Sequence, residues 1–395
     1  MASNLQLFLR HLAQTSDSPY LLEVEKAEGI YIYAADGKKY IDLVSGVSVS
    51  GMGHGNPKIL QAVRDQLDLY MHLHVYGELI QKPQVDLAVR LSEILPDTLD
   101  CTYFVNSGSE AIEGALKLAR RFTGRHRTIA FRNAYHGSTA GALSVQGGEE
   151  FKNAYRPLSP GVSFLDFNDF ESLDQIDESI ACVLLEPIQG EGGIILPENG
   201  FLELIRERCN RTGALMIFDE VQTAFGRTGS LFAFEHWNVI PDVLVLAKAL
   251  GGGMPLGAFI ASSEMMKVLS HDPVLGHITT FGGHPVSCAA GLASLEMLLT
   301  EDLGREAARK EQIFRNCLVH PMIKELRGMG LYFAVELGDA EKVKKFMKLS
   351  IENGIISDSF LFHDTAFRIS PPLTISPEQI KEVCAQLKSL LDLIK

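Results

Sequence analysis

The 395-residue chain has no stretch approaching the ~20 uninterrupted apolar residues that a membrane-spanning helix needs. A membrane is therefore not expected as a partner. Dense runs of lysine or arginine are also missing, and Lys+Arg 36 against Asp+Glu 49 gives a net charge of -13. That sign opposes a phosphate-backbone surface, so nucleic acid is not expected either. The six cysteines, Cys101, Cys182, Cys209, Cys288, Cys317 and Cys384, are far apart, without a CxxC or a paired Cys/His spacing. They give no zinc motif and fit small buried hydrophobes in a reducing compartment. There is no GxxxxGK[ST], no GxGxxG after a strand, no internal repeat and no low-complexity linker. The start, MASNLQLFLRHLAQTSD, lacks a continuous apolar stretch because Arg10 and His11 interrupt it. It reads as an amphipathic segment and not as a signal peptide, so a cytoplasmic location is expected.

What is present is an ordinary globular composition, 46% hydrophobic and 22% charged, long enough for two domains or one large α/β unit. Short apolar runs at 101–105, 127–131, 162–167, 181–186, 214–220, 242–247 and 257–262 predict sheet-core strands. Helical patterns such as Glu110 to Phe122 and Gly200 to Thr212 lie between them, and this alternation predicts an α/β fold with a mostly parallel central sheet. Before residue 48, IYIYAADGKKYIDL predicts a hairpin around Asp36-Gly37. After residue 286 come two helical patterns, the run GLYFAVEL, a helix near 340–353, AFRIS and a last amphipathic helix from Pro377. The expected divisions are an N-terminal segment 1–47 packing with the small domain, a large domain 48–286 and a small α+β domain 287–395.

Three strand ends carry chemistry. Ser107-Gly108-Ser109 follows the strand at 101–105 and opens a helix, where free N–H groups, the dipole and a serine hydroxyl suit a phosphate; a simple N-cap explains the same residues. Asp219-Glu220 ends an apolar strand at the edge where open α/β sheets place ligands; solvent-facing acids are the plainer alternative. Lys248 ends the apolar run VLVLA, where burial would make its amine lose a proton readily and act as a nucleophile; snorkelling to water is the alternative. One ligand, pyridoxal 5'-phosphate, accounts for all three, with its phosphate on Gly108 and Ser109, its ring nitrogen on Asp219 and its aldehyde on Lys248.

Together with EGIYIYAADGKKYIDLVSG, GHGNPKI, NSGSEA, YHG, LLEPIQGEGG, FDEVQTAFGRTG, LAKALGGGMPLGA, TTFGGHPVSCAAG and FRISPPLTI, these residues resemble the class III aminotransferases of fold type I. The likeness is to the ornithine and acetylornithine branch and covers nearly the whole chain. The resemblance implies that Lys248 anchors the cofactor and shuttles the proton, that Asp219 pairs with its ring nitrogen and that Gln222 reaches its hydroxyl. Val221 and Tyr135 would cover the two ring faces. His136, a turn residue rather than a catalyst, and Glu186 of LLEPIQGEGG would join the cofactor-binding set. Thr280 would bind the phosphate across the interface of a homodimer, Arg368 would take a substrate carboxylate, and Glu191 would neutralise Arg368 when the substrate presents an amine instead. Tyr76 aligns with a tyrosine of the substrate channel, and a packing role fits it equally.

The pattern departs from the ornithine-type members at Tyr135-His136-Gly137-Ser138-Thr139, where Ser138 replaces an arginine, and a serine cannot supply a bidentate guanidinium. Arg156 in AYRPLSPG is a nearby candidate for that charge, with a surface role the favoured reading, and the N-terminal tyrosine of ornithine-specific members has no good counterpart. The expected reaction is a two-step transfer of an amino group from an amino acid or ω-amine donor to a 2-oxo acid, 2-oxoglutarate or pyruvate. Mutase, racemase or decarboxylase chemistry on the same lysine is one alternative. A non-catalytic binder of a phosphorylated metabolite is the other.

Overall fold

The computed structural model describes residues 2–394, arranged around three sheets. Near the N-terminus, β1 (Val24–Glu28), β2 (Tyr31–Ala34) and β3 (Lys39–Asp42) form an antiparallel meander. Seven strands then build the central sheet: β4 (Cys101–Val105), β5 (Arg127–Phe131), β6 (Val162–Leu165), β7 (Ile180–Leu185), β8 (Leu215–Asp219), β9 (Val243–Leu246) and β10 (Gly257–Ala261). Their spatial order is β4-β10-β9-β8-β7-β5-β6, and only β10 runs against the others. The antiparallel β10 follows β9 through a short loop with no crossover helix, and a parallel return needs such a crossover.

Each predicted central strand is found within a residue or two of its expected limits. The runs are apolar throughout because both faces of the sheet are covered. Along β8, Met216 and Phe218 enter one apolar cluster while Leu215 and Ile217 enter the other. The helix Gly108–Thr123 packs on the second face through Ala111, Ile112, Ala115 and Leu118. Gly114 is required there, since a Cβ would lie 2.3 Å from the Phe259 ring.

The C-terminal part holds β11 (Glu325–Met329), β12 (Tyr332–Glu336), β13 (Ile355–Ile356) and β14 (Ala366–Ile369). β11-β12-β14 form an antiparallel sheet, whereas β13 pairs in parallel with β3 and so ties the N-terminal meander to this part of the chain. Two helices, Pro57–Leu69 and Lys82–Ile94, lie where the sequence pattern predicts no element. Both have proline in the first turn and pack against the helix Pro285–Thr300, so tertiary contact helps to fix them. Among the described residues no helix is long and apolar enough to cross a membrane.

Candidate active site

The parallel strands β4, β5, β7, β8 and β9 all point their C-terminal ends at one place, as the geometry of open α/β sheets requires of a ligand site. A cavity of about 410 Å³ opens there. Its wall brings together Ser107, Gly108, Ser109, Tyr135, His136, Glu186, Asp219, Val221, Gln222 and Lys248. These residues span more than 140 positions of sequence and meet only because the strand order interleaves them.

Beyond β4, Ser107 caps the helix by accepting from Glu110 N–H at 3.2 Å, so the plain N-cap reading is correct. The cap leaves the first-turn N–H groups of Gly108 and Ser109 without intrahelical acceptors, which is the arrangement that holds an anion. The turn bearing Tyr135 and His136 lies directly over this end. Gly137 has φ +125°, and a Cβ on it would sit 2.1 Å from Ser109 Oγ.

At the end of β8, Asp219 is fixed on both oxygens. Oδ1 accepts from Val221 N–H at 3.0 Å, and Oδ2 lies 2.8 Å from His136 Nδ1. A carboxylate only accepts, so Nδ1 carries the proton, and the buried Nε2 of His136 is left without a partner. Glu186 stands nearby with Oε2 buried and unpaired. Burial, aided by the negative charges of Asp219 and Glu191, raises the Glu186 carboxyl well above its ordinary range.

Lys248 begins the short turn after β9 in a left-handed conformation, φ +49°, a strain that concentrates at functional positions. Its amine makes no hydrogen bond among the described residues. Burial brings its pKa down to about 8, against the opposing pull of Glu191, Asp219 and Glu186.

Arg368 and Glu191 lie behind the cavity wall, almost fully buried, and form an ion pair of 2.7 Å. Gln222 joins them, its amide oxygen accepting from Arg368 Nη1 at 2.9 Å and from the Tyr332 hydroxyl at 3.0 Å while its NH₂ donates to Glu191 at 3.0 Å. Burial disfavours charge on both partners. Asp358 and Glu191 nevertheless hold the Arg368 guanidinium above its usual range, and Arg368 holds Glu191 below its own. Tyr332 and Asp358 belong to this network and carry no signal in the sequence: one is part of an apolar strand pattern, the other an ordinary loop acid.

Tyr76, Thr280 and Arg156 lie outside this cavity, as the partner-facing role expected of Thr280 requires. Tyr76 packs on the ring of Tyr103 at 4.6 Å and does not line the cavity of its own chain. Thr280 is exposed and also outside it. Arg156 does not replace the arginine missing at Ser138: it is more than half exposed, pairs with Glu149 and lines a separate surface cleft. The physical reason is local, since Glu149 lies in the same loop and captures it.

The cradle of helix N–H groups, the anchored carboxylate and the buried lysine fit the phosphate, ring nitrogen and aldehyde of pyridoxal phosphate. The fold and site are those of a fold-type I pyridoxal-phosphate enzyme. The model of the aminotransferase class-III family matches residues 12–391, and the chain belongs to that family. It is 38% identical to an acetylornithine aminotransferase of Methanopyrus kandleri over 92% of both chains. It is 40% identical to a putrescine aminotransferase of Pectobacterium atrosepticum, over 90% of this chain and 79% of that one. An omega transaminase from Pseudomonas jessenii, solved in complex with PMP, superposes with a TM-score of 0.93 at 26% identity, covering 100% of this chain and 98% of that one. The protein is an aminotransferase that uses pyridoxal phosphate, and transamination is its reaction.

Proposed function

We propose that the site takes its nitrogen from a donor with a terminal amine and passes it to 2-oxoglutarate or pyruvate. The observation that carries this reading is the closed Arg368–Glu191 pair, which presents no free guanidinium to a carboxylate and suits a substrate ending in an amine. For the acceptor, Glu191 turns away and Arg368 takes the carboxylate through its planar fork.

When bound, the cofactor supplies a conjugated ring that absorbs the negative charge left as a proton departs from the donor's amino-bearing carbon. The protein does the rest. Gly108 and Ser109 would hold the phosphate by backbone N–H groups. Asp219 would hold a proton on the ring nitrogen, and His136 and the Val221 N–H keep Asp219 aimed. Val221 and Tyr135 cover the ring faces and exclude water, and the second N–H of Gln222 is available to the ring hydroxyl. Lys248 would hold the cofactor by its amine and, when free of it, would carry the proton at Nζ. Thr280 would serve the site of a second copy in a homodimer; a cytoplasmic location and a chain divided at 1–47, 48–286 and 287–395 belong to the same reading.

A panel of diamines, ω-amino acids and α-amino acids, followed by a panel of 2-oxo acids, tests the reading through the change in the cofactor's absorption band. Amine-ended donors convert the band, and 2-oxoglutarate or pyruvate restores it. Lys248→Ala abolishes turnover by three or more orders of magnitude and prevents fixation of the cofactor by borohydride. Conversion only by donors ending in a carboxylate would reject the assignment of donor class.

A further inference from the structure

The guanidinium of Arg368 is occupied on every edge. Nη2 faces Glu191 at 2.7 Å and Nη1 faces the Gln222 amide oxygen at 2.9 Å. On the far edge, Nε lies 3.2 Å from Asp358 Oδ1. This third contact is purely one of charge, because the N–H is misdirected and both Nε and Oδ1 are buried without hydrogen-bond partners. One cation thus sits between two carboxylates, with the Phe360 ring 4.8 Å from its central carbon.

The two carboxylates are held differently. Glu191 reaches Arg368 by its side chain, anchored at Oε2 only by Leu361 N–H at 3.2 Å. Asp358 is tied to Arg368 by the backbone, its carbonyl accepting from Arg368 N–H at 2.8 Å. A rotation of Glu191 therefore leaves Asp358 in place. Tyr20 from the N-terminal segment flanks it, donating to the Ser357 carbonyl at 2.8 Å, while the Asp358 side chain keeps 26% exposure. Burial raises the Asp358 carboxyl to about 6, against the pull of Arg368, so at neutral pH it is ionised and its charge is the one that matters.

We propose that Asp358 is a specificity-determining residue, a fixed second negative charge on Arg368 that weakens binding of substrate carboxylates and favours substrates ending in an ammonium. The proposal rests on the reading of Arg368 and Glu191 as the carboxylate gate. With Glu191 turned away, an incoming carboxylate meets an arginine whose charge Asp358 already offsets. With Glu191 in place, the pocket's far end carries a surplus negative charge that a terminal ammonium compensates.

The test compares the holoenzyme with Asp358→Asn, which keeps the shape and removes the charge. The KM for 2-oxoglutarate falls and the KM for 1,5-diaminopentane rises, changing their ratio on the order of tenfold. Calorimetry with glutarate, which cannot react, gives a tighter Kd in the variant, while Asp358→Glu keeps the wild-type ratio. A merely structural role would weaken both substrates together, so parallel changes, or an unchanged ratio, overturn the proposal. Should Asp358→Asn fail to fold, Asp358→Ser supplies the same comparison. Glu191→Gln separates the two levels: if it leaves the 2-oxoglutarate KM unmoved, the gate itself is wrong, whereas a response there with none at Asp358→Asn removes only the role of Asp358.

Discussion

Lys248 shows what a single side chain gains from its place in the fold. Folding places its amine beyond a wholly apolar strand, and desolvation draws its pKa from 10.5 to about 8. The linkage follows directly: below about pH 8 the buried ammonium opposes folding in full, and this cost fades as pH rises from 8 toward 10.5. The benefit is chemical, since near neutral pH the free-amine fraction exceeds that of an ordinary lysine on the order of a hundredfold. Acetic anhydride labelling of cofactor-free protein, read by mass spectrometry across pH, should place the midpoint for Lys248 near 8. Restricted access alters the plateau of such a curve but not its midpoint, so a midpoint near 10.5 would contradict the assignment. That Lys248 is special was legible in the sequence because a lone cation at the end of VLVLA is rare on energetic grounds. The hydrogen bond from His136 to Asp219 was not, because it joins residues 83 positions apart.

At the scale of the element, the loop after β8 is held by Glu220, the neighbour of Asp219. Its fully buried carboxylate accepts from Ala233 N–H at 2.7 Å, Phe234 N–H at 2.8 Å and the Thr223 hydroxyl at 3.1 Å. Burial drives its pKa up to about 7, a cost that these three donors partly offset. Glu220→Ala strands two backbone N–H groups without acceptors and should lower stability by about 3 kcal/mol, as a fall in the urea midpoint with unchanged slope. The paired acids therefore divide the work: Asp219 faces the cavity and Glu220 splints the loop that carries Val221 and Gln222. Read from sequence, Asp219 takes the ring nitrogen and Glu220 is left without a role. Alternation along the strand put them on opposite sides, but only the packed loop at 233–234 gave Glu220 its partners.

For the whole molecule, the decisive feature lies outside the cavity. Thr280 is exposed, and around it the segments 71–80 and 278–281 present Met71, Leu73, Ile80, Ile278 and Phe281 to solvent, Ile80 at 96%. Apolar side chains gathered in this way suit burial against a second copy, the arrangement that would bring Thr280 to a partner's cofactor. Mixing inactive Lys248→Ala chains with impaired Thr280→Ala chains tests it. Hybrid dimers regain one intact site, so activity should rise toward about a quarter of the wild type after random exchange. Chains that remain monomeric on sedimentation, or hybrids that stay inactive, would refute the shared site. Most of the architecture was foreseeable, with the central strands and the later helices read from periodicity. The helices Pro57–Leu69 and Lys82–Ile94 were not, because their stability comes from docking on Pro285–Thr300.

The sequence by itself determined the class of chemistry. A phosphate cradle, an acid and a lysine each follow an apolar strand, and parallel strands covered by helices deliver their C-terminal ends to one edge, so three local motifs suffice to define one site. Only the tertiary structure decided how that site discriminates. The carboxylates on either side of Arg368 come from β7's following loop and the loop before β14, Tyr332 comes from β12, and Tyr20 from the first strand's approach. Charges pair by distance in space rather than in sequence, and periodicity reports which face a residue takes but not which distant partner it meets there.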